Sequence, residues 1–130
     1  MGGSRVAMAL HSANGKICYL EMPASDVATS ASFYQKAFGW VISDRGDGTI
    51  SFTDTVGHVS GSFVVGVPPN QPGIVISIMV ADMTSAIAAV EVTGGVITQP
   101  VGKDLPEITA RFRDPAGNIM GVYQERSVSI

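Results

Sequence analysis

An α+β fold of two tandem βαβββ modules is what the sequence predicts, on three observations. Asp82 and Gly95 repeat Asp26 and Gly39 at a distance of 56 residues, and each pair encloses a helical pattern preceded by a strand-like run. Asp114, Gly117 and Gly121 repeat Asp54, Gly57 and Gly61 at 60 residues, so the back halves of the modules match as well. Turn chemistry at Arg45-Gly46-Asp47-Gly48, ahead of a run in which Ile50 and Phe52 alternate with Thr49, Ser51 and Thr53, marks a hairpin and antiparallel pairing. The change of offset from 56 to 60 is a change of loop length. A chain of 130 residues suits one domain with a real core, built here from both modules together. Module one spans about 15–66, a linker 67–73 and module two about 74–125.

Each element has a local reason. Residues 1–14 are Gly-, Ser- and Ala-rich without a clear period and read as an arm. Ile17 to Met22 is strand-like, and Pro23, with no N–H to give a ladder, ends it or stands where no bond is needed. Asp26 is a good helix N-cap; Val27, Ala31, Tyr34 and Phe38 keep helical spacing, and Gly39 supplies the left-handed residue that closes the helix. Trp40 to Ser43 is the next strand, followed by the hairpin. Asp54 to Gly57 turns the chain into a fourth strand, His58 to Val65. Pro68, Pro69 and Pro72 mark the linker. Module two repeats the order: strand Ile74 to Val80, a helix from Asp82 with Met83, Ile87 and Val90 on one face, a stop at Gly94-Gly95, and strands near Val96–Val101, Ile108–Phe112 and Asn118–Gln124.

Composition excludes several classes of partner. A net charge of −3 with scattered basic residues offers no footprint for a phosphate backbone or anionic lipid, so nucleic acid is not expected. The most apolar run, Ile74 to Ala81, falls far short of a membrane span. The lone Cys18 excludes an internal disulfide, and residues 1–14 lack the apolar core of a secretory signal. A soluble, cytoplasmic protein with no membrane contact is the expectation.

Asp26, Phe33-Tyr34, Phe38-Gly39-Trp40, Gly94-Gly95, Arg113-Asp114-Pro115 and Gly117-Asn118 together resemble the vicinal oxygen chelate superfamily. That family holds glyoxalase I, extradiol dioxygenases and the bleomycin and fosfomycin resistance proteins. The resemblance covers about residues 15–125. It implies that the modules form a curled mixed sheet with a cup-shaped cavity, and that chains of this size pair as homodimers to complete or cover the cups. Because these residues specify turns and helix packing, they carry the fold more than any one chemistry.

The resemblance also implies four metal-ligand positions, on the first and last strand of each module. The repeat puts them at Tyr19, Gly61, Val75 and Gly121, where no carboxylate or imidazole stands. No cofactor is therefore expected, the family's divalent metal included. If that placement holds, strand parity lines the cup with Tyr19, Glu21, Val59, Phe63, Ser77, Met79, Ile119 and Tyr123 around Gly61 and Gly121, with Val75 beside them. Such a lining suits a small organic ligand, the two glycines leaving it room; the alternative, that these side chains fill a core, stays open.

Two functions remain. In the first, a glyoxalase-like lyase or isomerase, Glu21 is the general base and Tyr19 or Tyr123 the hydrogen-bond donor. In the second the protein sequesters a small molecule without changing it, as bleomycin-resistance members do. Other residues read as structure. His58, without further ligands, is a solvated turn residue; Asp114, in an Asp-Pro-x-Gly-Asn hairpin, caps its own backbone; Cys18, out of phase with the cup face, is a buried packing thiol.

Overall fold

A computed structural model describes residues 14–70 and 73–125. In chain order its elements are β1 (Tyr19–Pro23), α1 (Val27–Phe38), β2 (Val41–Asp44), β3 (Ile50–Thr53), β4 (Ser60–Val64), β5 (Ser77–Met79), α2 (Met83–Val92), β6 (Val96–Gln99), β7 (Ile108–Arg113) and β8 (Ile119–Gln124). This is βαβββ twice. The strands form two four-stranded sheets, β1-β4-β3-β2 and β5-β8-β7-β6, in which β1 and β5 run parallel to β4 and β8 and the other neighbours are antiparallel.

Both helices start on the expected aspartates, though by different bonds. The Asp82 carboxylate accepts from the Ser85 backbone N–H at 2.9 Å and from its hydroxyl at 2.6 Å, whereas the Asp26 carboxylate makes no bond to backbone and takes the Thr29 hydroxyl at 2.8 Å instead. Gly39 closes α1 at φ +75°, a left-handed geometry that glycine alone adopts without strain.

The core lies between the sheets, around the helices. Tyr34 stacks on Trp40 at 4.4 Å, Trp40 on Phe52 at 4.8 Å, and Phe52 meets Phe63 at 5.0 Å. Phe33 and Phe38 then reach Phe112 of module two at 5.8 and 5.7 Å, joining this ring stack to Met83, Val90, Ala110, Met120 and Val122 in one buried cluster. Each helix packs on its own module's strands and on the other helix; among the described residues no strand of one sheet pairs with a strand of the other. The sheets therefore do not close on each other within the chain, and each keeps one open face. Exposed large side chains lie on both: Tyr19 and Val41 in module one, Met79 and Val96 in module two.

A polar clasp adds to the junction. The Tyr34 hydroxyl donates to Asp114 Oδ2 at 2.8 Å, and Asn118 Nδ2 donates both to that oxygen at 3.0 Å and to the Pro23 carbonyl at 2.7 Å. Asp114 Oδ1 accepts from the Ala116 and Asn118 backbone at 3.0 and 2.8 Å, so this buried carboxylate does cap its own turn, as its sequence context predicts. Burial, and then the neighbouring Asp114 carboxylate, push the Tyr34 phenol well above its usual range, which keeps it a neutral donor. Cys18, expected to be buried, is exposed because it precedes β1 and no element covers it.

Candidate functional site

The register decides which side chains the open faces present. In module one β1 pairs with β4 as Tyr19↔Ser60, Leu20↔Gly61, Glu21↔Ser62 and Met22↔Phe63. Paired residues share a face, and Met22 and Phe63 are buried under α1. The face opposite the helix therefore carries Tyr19, Glu21, Ser60 and Ser62, extended through Thr53 and Ser51 to Val41 and Ser43, with Ser62 buried among its neighbours. In module two the pairs Ser77↔Gly121↔Arg111 and Met79↔Tyr123↔Thr109, with Arg113↔Ile119, occupy the open face. Val75 stands beside them, its Cγ1 3.3 Å from where a Gly121 Cβ would lie.

Gly61 and Phe63 thus lie on the helix face, not on the cup face expected for them. The cause is one residue. The first module's last hairpin turn runs over residues 54–59 and the second's over 114–118, closed by Asp54 N–H to Val59 O and by Asp114 N–H to Asn118 O. Past the turn the repeat therefore runs at 59 residues rather than 60, and with a period of two that slip exchanges the faces. Gly121 corresponds to Ser62, and Gly61 to the buried Met120. Val59 lies in the turn itself, its N–H 3.3 Å from Asp54 Oδ1.

Neither glycine opens a pocket beneath the sheet. A Cβ on Gly61 would run into the Leu20 carbonyl oxygen and the Phe52 ring; one on Gly121 would stand 2.6 Å from Ser77 Oγ. Gly61 exists for close core packing, and above Gly121 the space is taken by the Ser77 hydroxyl.

The acid–base candidates do not converge. Glu21 and Tyr19 sit exposed on the first sheet, while Tyr123 on the second donates its hydroxyl to Glu125 at 3.0 Å. Glu125, Arg111, Ser60 and Ser62 are polar groups of the open faces that the sequence reading did not single out. The extra residue follows the first Asp-x-x-Gly, as His58-Val59 against Asn118 alone, and no local motif marks it. His58 is exposed in its turn, its backbone N–H held by Asp54 Oδ1 at 2.7 Å. A metal ion of the kind the family resemblance implies would need converging side-chain donors. Among the described residues no three His, Cys, Asp or Glu side chains group in this way, and Val75, Gly121 and its counterpart Ser62 offer no carboxylate or imidazole, so these described positions do not fit such an ion. A cavity of about 540 Å³ on the helix side, lined by residues such as Ser32, Lys36 and Thr93, holds none of the expected site residues.

The model of the Glyoxalase/Bleomycin resistance protein/Dioxygenase superfamily matches residues 16–121. The chain belongs to this superfamily. Superfamily membership agrees with the paired modules and with solved structures of the same fold. A hypothetical protein, SA1046, from S. aureus is similar at 16% identity and a TM-score of 0.71, over 91% of this chain and 99% of its own. A glyoxalase/bleomycin resistance protein/dioxygenase family enzyme from Burkholderia phytofirmans PsJN is similar at 13% identity and 0.69, over 85% and 98%. TnmS3, an antibiotic binding protein from Streptomyces sp. CB03234, is similar at 23% identity and 0.67, over 88% and 98%. At these identities the superfamily likeness carries the fold alone, and no curated protein sequence matches the chain. No helix among the described residues is long and apolar enough to cross a membrane.

Proposed function

We propose that the protein binds a small organic molecule without transforming it and without a divalent cation, in cups shared between two copies of the chain. The observation that carries this reading is the pair of open sheet faces. Within one chain they lie on two sheets that do not pair with each other, and each exposes apolar surface, with Val41 59% and Met79 55% accessible. A twofold dimer that sets the module-one face of one copy against the module-two face of the other would bury that surface and enclose a ligand between hydroxyl-bearing and mixed apolar walls. The binding reading is preferred to the lyase or isomerase because the hydroxyl of Tyr123, one of the two candidate donors, already donates to Glu125. TnmS3, of the same fold, is an antibiotic binding protein, and the analogy supports sequestration here.

Light scattering at micromolar concentration tests the shared cup, with an expected mass of twice 13.5 kDa; a monomer overturns it. Saturable binding from a panel of aromatic and oxygenated compounds, with every compound recovered unchanged, is the expected outcome for function. Product formation that Glu21→Gln abolishes would overturn the binding reading in favour of the enzyme.

A further inference from the structure

We propose that Arg111 is an oxyanion anchor, and that the molecule bound on the module-two face is an organic anion bearing a carboxylate, sulfonate or phosphate. This rests on the reading that the open faces hold the ligand. Arg111 lies on β7, an interior strand, with Gly121 of β8 on one side and Gln99 of β6 on the other. It is half-buried, yet no hydrogen bond or ion pair among the described residues engages its guanidinium. Removing part of a cation's water without supplying a counter-charge is costly, and a carboxylate or phosphate matches the planar donor fork of arginine.

The neighbouring positions fit the same group. Ser77 Oγ stands over Gly121, 2.6 Å from where a Cβ would be, which places a hydroxyl donor and a guanidinium on either side of a residue with no side chain. The row Ser77–Gly121–Arg111–Gln99 is thus a polar stripe across the sheet. The rows flanking it are Met79–Tyr123–Thr109 on one side and Ile119–Arg113–Val96 on the other, so the apolar side chains on this face lie to either side of the stripe. A head of negative oxygens on an apolar body matches a polar stripe between apolar walls. Arg113, also on this face, is exposed at the strand end and is less suited to the role. Module one's open face carries no cation among its strand residues, and its only carboxylate there is Glu21.

Titration of the full chain with 2-naphthoate and with the neutral 2-naphthamide, followed by amide and arginine side-chain NMR, tests the proposal. The expected result is binding of the carboxylate at least about tenfold tighter than the amide, with shifts at Ser77, Gly121 and the Arg111 Nε–H. Arg111→Met should remove that preference and leave the amide's affinity unchanged, Arg111→Lys should restore part of it, and Arg113→Met should keep it. Equal affinity of the two probes overturns the anchor while the binding reading stands; no binding of either at the sheet faces overturns both. An Arg111 Nε–H signal that moves on Glu21→Gln in the ligand-free protein would overturn the proposal too, since the guanidinium would then pair with a second copy.

Discussion

Helices α1 and α2 both start at an aspartate and end at a left-handed glycine, Gly39 directly and Gly94 after the Thr93 cap, but fill the core differently. Ser30, Tyr34 and Trp40 of module one stand where Ala86, Val90 and Val96 stand in module two. Module one consequently closes on stacked rings, while module two closes on Met83, Val90, Met120 and Val122, with Phe112 as the ring that meets its neighbour. The asymmetry reaches the junction, because Tyr34 extends a hydroxyl to Asp114 and its counterpart Val90 can offer nothing to Asp54. The open faces diverge further, toward hydroxyls and Glu21 in one and toward arginines, Met79 and Tyr123 in the other. Backbone chemistry at caps and turns maintains the repeat, whereas the faces, free of that constraint, have become two unlike walls.

The largest effect expected from breaking the comparison is at its glycines. Gly61→Ala drives a methyl into the Leu20 carbonyl and the Phe52 ring, and should cost about 3 kcal/mol with a fall in Tm of about 10 °C or more. Gly121→Ala asks a serine hydroxyl to turn away and the Val75 methyl at 3.3 Å to give slightly, and should cost about 1 kcal/mol. Denaturant unfolding of both variants checks this, and equal losses would contradict the assignment of the two glycines to opposite faces.

An intermediate effect follows from the clasp. Tyr34→Phe removes a donor from a buried carboxylate and should cost about 2 kcal/mol at pH 7. The phenol's pKa is raised on folding, so its contribution is complete below the unfolded value of about 10 and is lost as pH rises beyond it. The wild type should therefore lose stability above about pH 10 more steeply than Tyr34→Phe, as thermal melts across that range would show.

The smallest effect makes module one resemble module two. Ser30 Oγ is buried without a hydrogen-bond partner, and its counterpart is Ala86. Ser30→Ala should stabilise the protein by about 1 kcal/mol, by removing an unpaired hydroxyl and improving helix propensity. A destabilised variant would mean that the hydroxyl has a partner.

Much of the fold was legible because its signals are local. The Asp26 and Asp82 caps, the Gly39 stop, the Arg45–Gly48 hairpin and the 56-residue repeat depend on residues a few positions apart, and each fell in place. Ser77, Met79, Ile119, Gly121 and Tyr123 were placed on one face because strand alternation after the Asp114 turn was counted correctly. Ser60 and Ser62 were missed because alternation has no memory of its own: one extra residue between Asp54 and Val59 exchanged their face with that of Gly61 and Phe63.

Caps, turns and the period of apolar residues therefore determined from sequence alone that the chain is βαβββ twice, since the bonds that enforce them are made within a few residues. Only the tertiary structure decided that Gly61 packs beneath Phe52, that Tyr34 reaches across to Asp114, and that the sheets meet through their helices and leave two faces open. Those contacts join residues far apart in the chain. They are fixed by pairing register and by the fit of side-chain volumes, which no local pattern encodes.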